Sequence, residues 1–175
     1  MTKVIRPHDP RWKLDFESEA QLLREQLGKT VVRLHHIGST AIPGIVAKPI
    51  VDILVEATSL AGVDERAFAL EAAGYEARGE YGIEGRRYFR KASTDASRPG
   101  YHVHVYQLDS EHIARHLCFR DYLLMKPDVA QAYSALKIAL SGQTGALAAD
   151  YVAQKSQFIK QVERDALAHF ARRAQ

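Results

Sequence analysis

One carboxylate stands in the middle of an otherwise apolar run. Asp52 lies between Ile50-Val51 and Ile53-Leu54-Val55, a pattern typical of a strand that is buried on both faces. An ionised Asp is rarely buried without a partner, so Asp52 is expected to point into a cleft or to meet a cation there. Asp52 is therefore the first candidate for a catalytic or metal-binding group.

A Gly-Ser pair ends the preceding apolar run. Gly38 allows the backbone to approach a ligand closely, and Ser39 offers a hydroxyl and an N–H. A helical turn that begins at Ser39 or Thr40 would direct free N–H groups at an anion. A phosphate site beside a carboxylate that can hold a metal is typical of phosphoryl or nucleotidyl transfer. A capped turn followed by a core strand with one paired Asp explains the same residues.

Lys48 stands between a turn-rich connection and the Asp52 strand. It has two interpretations: its ammonium group extends into solvent, or it meets a phosphate beside Ser39. Both remain open at this point.

A second candidate group lies on a later strand. The alternation from Tyr101 to Tyr106 predicts a strand on which His102 and His104 share one face. Two histidines at this spacing can reach one metal ion together. Hydrogen-bonded or exposed histidines are the alternative.

The second half of the chain is predicted to be helical and carries two Tyr-x-x-x-Lys pairs. Tyr133 with Lys137, and Tyr151 with Lys155, each share one side of a helix. Such pairs form a phosphate-binding wall, or the tyrosines pack while the lysines reach solvent. Arg120 can bind a phosphate with its guanidinium or pair with a neighbouring acid.

Apolar periodicity predicts the elements that position these groups. They are a helix from Asp9-Pro10 to Gly28, strands at Val31–Ile37 and Ile50–Ala57, a helix from Ser59 to Gly74, a strand-turn-strand unit over 75–91, the strand 101–106, and helices from Asp109 onward. Glu56 shares a strand face with Asp52 at too great a distance to bind the same ion, and is predicted to be an edge or surface residue.

Length and composition suit one soluble domain. The chain has 175 residues and a formal charge of +3, which does not argue for nucleic acid but suits an anionic small ligand. No apolar run reaches the length of a membrane span, and the start lacks a signal-peptide core. Cys118 is the only cysteine, which favours a reducing cytoplasm over a disulfide-forming compartment.

Several motifs together resemble the GrpB family, which is placed in the nucleotidyltransferase superfamily. The matching residues are His36-Ile37-Gly38-Ser39-Thr40-Ala41, Pro43-Gly44, Ala47-Lys48-Pro49-Ile50, Asp52-Ile53, His102-Val103-His104-Val105, Phe119-Arg120-Asp121-Tyr122-Leu123, Tyr133 with Lys137, and Tyr151 with Lys155 and Phe158. The resemblance covers nearly the whole chain, and its first motif is long and specific.

The resemblance implies an α+β fold: a nucleotidyltransferase-like mixed sheet with helices on one side, and a helical C-terminal part that closes a cleft. We expect one domain over 1–175, with the sheet-containing part at about 1–108 and the helical part at about 109–175. The implied ligand is a nucleoside triphosphate or another phosphorylated small molecule, from which a nucleotidyl group passes to an acceptor. The expected ligand-binding residues are Gly38, Ser39, Thr40, Lys48, Arg120, Lys137, Tyr151 and Lys155.

The expected catalytic and metal-binding residues are Asp52, His102 and His104, with a divalent ion, magnesium or a transition metal, as cofactor. Active members of the superfamily usually carry two acids, one residue apart, and a third on a neighbouring strand. In this chain Ile50 and Leu54 occupy the two partner positions. Magnesium prefers oxygen ligands, whereas imidazole suits zinc or another transition metal.

Three modes of action fit this departure from the family pattern. One metal held by Asp52 and a histidine, or metal-independent transfer with histidine as base or nucleophile, would retain chemistry. Binding without turnover would make the chain a nucleotide-sensing or partner-binding module, an idea that family domains fused to dephospho-coenzyme A kinase support. A hydrolase that uses the same metal site is a weaker alternative.

Overall fold

The computed structural model describes residues 5–141 and 146–173, with the side chains of 5–141 and 153–172. The helices are α1 (Arg11–Leu27), α2 (Leu60–Glu65), α3 (Ala67–Ala72), α4 (Glu111–Met125), α5 (Pro127–Leu140) and α6 (Ala146–Arg173). The strands are β1 (Val31–Ile37), β2 (Ile50–Ala57), β3 (Glu76–Ala77), β4 (Arg86–Lys91) and β5 (Gly100–Gln107). The predicted α+β fold is confirmed. The helix expected between Ser59 and Gly74 is divided at Arg66 into α2 and α3.

The strands form one mixed sheet in the order β1-β2-β5-β4-β3. Strands β2 and β5 run parallel, while the other neighbouring pairs are antiparallel. The parallel register pairs Asp52 with His102 and Leu54 with His104. The sheet therefore aligns the carboxylate of one strand with the two histidines of the next.

Helices cover both faces of the sheet, one face by the helices that precede β3 and the other by the helical C-terminal part. Helices α1, α2 and α3 cover the face that contributes Val51, Ile53, Val55, Val103 and Val105 to the largest apolar cluster. On the opposite face, Leu54 and Tyr106 pack against Ile113 of α4. Because both faces are covered, β2 is buried along nearly its whole length, as its apolar composition predicts.

Glu56 is buried, so its prediction as a surface residue is wrong. Only 3% of the residue is exposed. The antiparallel register places Arg33 of β1 opposite Glu56, and the guanidinium donates two hydrogen bonds to the carboxylate, at 3.0 and 2.8 Å. His35 Nε2 lies 2.7 Å from the same carboxylate. These partners satisfy the charge, which allows an acid to occupy an interior position.

We expect Glu56→Gln to lower the free energy of unfolding by about 1–3 kcal/mol, because it breaks a paired network at a buried site. The Arg33 hydrogen bonds lower the pKa of Glu56 and outweigh burial, which raises it. The contribution is therefore present at neutral pH and decreases as the pH falls below the ordinary value of 4.5. Urea titrations at pH 7 and pH 3.5 test this, with exposed Glu65→Gln as control. Equal stability of the two variants at pH 7 would refute the assignment.

The loop between β1 and β2 joins the sheet to the C-terminal helices. Its Ile42 and Ile45 are buried among apolar side chains of α4, α5 and α6. The N–H of Val46 donates to Ser134 Oγ at 2.9 Å, and Lys137 Nζ donates to the carbonyl of the same Val46. Helix α5 is consequently fixed against the loop that follows the Gly-Ser pair.

Candidate functional site

A cleft of about 270 Å³ lies between the sheet and the C-terminal helices. Its lining residues are Ile5, Gly38, Ser39, Thr40, Lys48, Ile50, Asp52, His102, Phe119, Tyr133, Lys137 and Lys155. Eight of these are among the eleven site residues predicted from the sequence. The fold thus brings together polar groups from five separate segments of the chain.

Ser39 and Lys137 are in direct contact at the base of the cleft. Ser39 begins a single 3-10 turn, Ser39–Ala41, and its Oγ accepts a hydrogen bond of 3.0 Å from Lys137 Nζ. Lys137 is 5% exposed, and its ammonium lies 4.4 Å from the centroid of the Tyr133 ring. A buried cation beside a serine hydroxyl and a turn is an arrangement that suits an anionic oxygen.

The lysines that line the cleft lie close enough for their positive charges to repel one another. Burial lowers the pKa of Lys137 to about 8, and the charge of Lys155 adds to this effect. Burial also lowers the pKa of Lys155, together with the charge of Lys48, while Asp52 acts in the opposite direction. A multiply charged anion would relieve this repulsion, so the electrostatics favour phosphate over a neutral ligand.

Asp52 faces both histidines of β5. Its Oδ1 lies 3.4 Å from His102 Nδ1 and 3.6 Å from His104 Nε2. Burial raises the pKa of Asp52, but the interactions with the two imidazoles outweigh it and bring the pKa to about 2. Asp52 is therefore ionised at neutral pH, and it can orient an imidazole or hold a cation.

Gly38 is required where the backbone turns beside Asp52. Its φ of 71° and ψ of −172° lie in a region that only glycine adopts readily. A Cβ at this position would also overlap the Asp52 carboxylate. The glycine therefore allows the turn and the carboxylate to share one corner of the cleft.

We expect Gly38→Ala to distort this corner of the cleft and to destabilise the fold by about 1–3 kcal/mol, because strain and overlap act together. Gly79→Ala is the matched control, since Gly79 has a φ of 56° but a Cβ there would meet nothing within 4 Å. Denaturant titration of both variants compares a positive-φ glycine whose Cβ would overlap a neighbour with one whose Cβ would not. A Gly38→Ala variant no more impaired than Gly79→Ala would contradict this role.

His104 lies behind Asp52 and is not among the residues that line the cleft. Its ring packs 5.2 Å from Tyr88 and 5.6 Å from His116, and its Nδ1 is 3.5 Å from Arg86 Nη1. His102, in contrast, lines the cleft. Of the two histidines, His102 is consequently the better placed to meet a ligand.

Arg120 is not brought to the cleft. Its Nε donates to Asp121 at 2.7 Å, and its Nη1 donates to the carbonyl of His36 at 3.1 Å. The side chain lines a neighbouring pocket instead. The helix pattern indicated a cation on α4, but it did not indicate which side of the Gly-Ser turn that cation would occupy.

Tyr151 lies outside the residues whose side chains are described, although its backbone belongs to α6. Its expected contact with a ligand therefore remains a prediction.

The cations of β4 are held by other groups and lie outside the cleft. The ion pairs are Arg87 with Asp64, Arg90 with Glu76, and Lys91 with Glu19. The buried Arg86 donates to the carbonyls of Glu80 and Tyr81. The cations of β4 therefore hold neighbouring elements against this strand and do not face the cleft.

An aromatic wall of the cleft was absent from the predicted site. The Tyr133 ring stacks on Phe158 with a centroid distance of 5.6 Å, and Phe119 packs against its edge at 6.1 Å. Phe119 and Tyr133 both line the cleft. The Tyr133–Lys137 spacing was the available signal, since it places the ring beside the lysine on one face of α5.

The donor set around Asp52 does not fit a magnesium pair. Ile50 and Leu54 supply no second carboxylate, and β5 offers imidazoles. Two ligands of one tetrahedral zinc ion lie about 3.3 Å apart, close to the 3.4 and 3.6 Å measured at Asp52. Within the described part of the chain, however, no group of three or more His, Cys, Asp or Glu is arranged to hold an ion. The donors thus match a transition metal in chemistry only.

Comparison with known proteins assigns the chain to a family. The family model for GrpB protein matches residues 3–165. The chain belongs to the GrpB family. A crystal structure of the conserved protein GrpB from Enterococcus faecalis is similar to this family member, with a TM-score of 0.85 and 38% identity over 95% of this chain and 99% of that chain.

Curated relatives include longer proteins. The chain is 38% identical to YqkA of Bacillus subtilis (strain 168), over 91% of this chain and 46% of YqkA, so it spans about half of that protein's length. It is 30% identical to a dephospho-CoA kinase of Mycolicibacterium paratuberculosis, over 91% of this chain and 45% of the kinase. A fainter likeness to the Cid1 poly(U) polymerase has a TM-score of 0.45 at 12% identity over 73% of this chain and 44% of that chain, too low to support an argument about function.

None of the helices in the described residues is long and apolar enough to cross a membrane.

Proposed function

We propose that the cleft binds a nucleoside triphosphate and that the protein transfers a nucleotidyl group from it to an acceptor. The observation that carries the proposal is that three lysines line one cleft with Ser39, beside an ionised carboxylate that faces two imidazoles. Lys48 precedes β2, Lys137 belongs to α5 and Lys155 to α6, yet all three line one cleft with Ser39 and Asp52. A triphosphate supplies the negative charge that such a cluster requires.

The three lysines are assigned different parts of the triphosphate because they occupy different positions in the cleft. Lys137, together with Ser39, binds a phosphate oxygen at the base of the cleft, where its hydrogen bond to Ser39 already orients the ammonium. Lys155 and the exposed Lys48 neutralise the remaining phosphate charge. The Phe119–Tyr133 wall offers an apolar surface for the base or ribose.

Asp52 and His102 are assigned to the transfer step. An acceptor oxygen attacks the α-phosphorus, the bond between the α-phosphorus and the bridging oxygen breaks, and pyrophosphate leaves. His102 accepts the proton of the acceptor as general base. Asp52, ionised because of its low pKa, orients the imidazole and stabilises the imidazolium that forms.

A divalent cation has a limited place in the proposal. The acids for a pair of magnesium ions are absent from β2, so no step is assigned to such a pair. Asp52, His102 and His104 carry donor atoms of the kind that zinc or manganese accepts, but within the described residues they are not arranged as an ion-binding group, so no step is assigned to a metal ion.

Nucleotide binding without turnover is the second candidate. The missing acid beside Asp52 favours it, because Leu54 and Ile50 cannot replace a carboxylate. The length of the relatives also favours it, since a domain of this kind forms only part of a dephospho-CoA kinase. In this case the chain would sense a nucleotide or bind a partner.

A thermal-shift screen of nucleoside triphosphates and divalent ions, alone and in pairs, tests the proposal. A ligand at a hundred times its dissociation constant stabilises the folded state by about 2.7 kcal/mol, which is easily measured. We expect a triphosphate to raise the melting temperature of the wild type and of Asp52→Asn, with turnover in the wild type alone. Binding with no pyrophosphate release across an acceptor library would favour the sensing module, and no shift at millimolar nucleotide would reject both.

A further inference from the structure

A second pocket adjoins the proposed nucleotide cleft. Its volume is about 520 Å³, and Thr40 of the Ser39–Ala41 turn lines both sites. Helix α1 contributes Lys13, Phe16 and Glu17, while α4 contributes Arg120 and Leu124. None of these five side chains lines the cleft, so the pocket is a separate surface on the other flank of the same turn.

One wall of the pocket is aromatic. The rings of Phe16 and His36 are stacked with centroids 5.0 Å apart and an angle of 10° between their planes. His36 Nε2 lies 2.9 Å from Thr40 Oγ1, and Thr40 is 2% exposed, so the imidazole is fixed by a buried partner. Burial lowers the pKa of His36 to about 4, which leaves the ring neutral at pH 7. Two rings stacked on one another leave only their edges and outer surfaces for a ligand, and such a fixed, neutral, apolar wall suits an aromatic ring.

Two of the polar side chains that line the pocket are cations. Arg120 uses Nε and Nη1 in its hydrogen bonds to Asp121 and to the His36 carbonyl, and no bond of its Nη2 is recorded within the described part of the chain. Lys13 is exposed on α1, and Glu17 is the one acid among the residues that line this pocket. Arg120 is also paired with Asp121, so the pocket has no clear excess of positive charge. The donors that remain for a ligand are Arg120 Nη2 and the Lys13 ammonium, and both suit an anionic group.

We propose that this pocket binds a small planar anion, with its ring against Phe16 and His36 and its carboxylate, sulfonate or phosphate group toward Arg120 and Lys13. Binding of this ligand is independent of the proposed nucleotide transfer. Thr40 joins the pocket to the cleft in which the proposed reaction would occur, so the same ligand could serve as the acceptor of the nucleotidyl group. This acceptor role rests on the proposed function.

The test uses 2-naphthoate as probe and 2-naphthylmethanol as its neutral counterpart, with binding followed by ligand-detected NMR. We expect the anion to bind at least about tenfold more tightly than the alcohol, because a charge-assisted contact is lost in the alcohol. Lys13→Gln should weaken naphthoate binding by about threefold or more, and Arg120→Lys by more than that. Lys160→Gln, at an exposed site on α6, serves as the charge-matched control.

Several results would overturn the inference. Equal binding of anion and alcohol would show that charge plays no part. Loss of naphthoate binding in Lys137→Met but not in Lys13→Gln would locate the anion in the nucleotide cleft. Because Lys13 is exposed, its replacement does not threaten folding, so the inference stays testable if Arg120→Lys fails to fold. If naphthoate binds as expected but ATP does not bind at all, the proposed function fails and the second pocket stands.

Discussion

We expect Lys137→Met to lower the affinity for ATP by about tenfold to a hundredfold while leaving the fold intact. The change removes a charge-assisted hydrogen bond to phosphate, of a kind that contributes about 1.5–3 kcal/mol. Isothermal titration at pH 7 measures the loss, with Lys160→Gln as the control that removes the same charge from the surface. Unchanged affinity in Lys137→Met would remove the buried lysine from the proposed site.

Lys137→Met is also expected to change how the free energy of unfolding depends on pH. The pKa of Lys137 is about 8 against an ordinary value of 10.5, so the unfolded chain binds more protons than the folded chain between these values. Wild-type stability should accordingly rise with pH from about 8 to 10.5, by at most about 3 kcal/mol from this group. Lys137→Met should lack that rise. A pH dependence identical to that of the wild type would contradict the burial of an ammonium at this position.

The second large effect is expected from Asp52→Asn. If His102 acts as the base that Asp52 orients, turnover should fall by about a hundredfold to ten-thousandfold. ATP binding should remain within about threefold of the wild type, because the substitution removes a negative charge from a site that binds an anion. Pyrophosphate release and ATP titration give the two readouts, and Asp165→Asn on the exposed side of α6 is the control.

Acid stability provides an independent check on Asp52. Its pKa of about 2 lies below the ordinary 3.8, so its contribution to stability is complete above pH 3.8 and is lost as the pH falls toward 2. The Asn variant should lose this dependence. Retained turnover in Asp52→Asn, or an unchanged acid transition, would show that the carboxylate is not the paired and ionised group described above.

Local sequence patterns were sufficient to predict strands β2 and β5 and the turn that places Gly38 beside Asp52. The apolar run around Asp52 predicted β2, and the alternation around His102 predicted β5. The Gly-Ser pair predicted the turn beside the carboxylate, and the structure has Gly38 against Asp52. These features depend on residues that are close in sequence or in neighbouring strands, so periodicity and backbone chemistry determine them.

The lysine side of the site depends on how the C-terminal helices pack against the sheet, and sequence periodicity does not predict that packing. The 3.6-residue pattern indicates which face of α5 carries Lys137, but the contact with Ser39 requires Val46 and Ser134 to hold the loop on that helix. For Arg120, the pattern placed the residue on a helix but did not indicate that its guanidinium would donate to the His36 carbonyl and not line the cleft. Glu56 was misjudged because its partners, Arg33 and His35, come from β1 through strand register.

The central claim is that the phosphates of a nucleoside triphosphate lie against the Ser39 turn and the cleft lysines. Backbone amide shifts of ¹⁵N-labelled protein, recorded during titration with a non-hydrolysable ATP analogue, test it directly. We predict the largest shifts at Gly38, Ser39, Thr40 and Lys137, with none of them in Lys137→Met. Shifts centred on α1 and His36, or no shifts at millimolar analogue, would contradict the account.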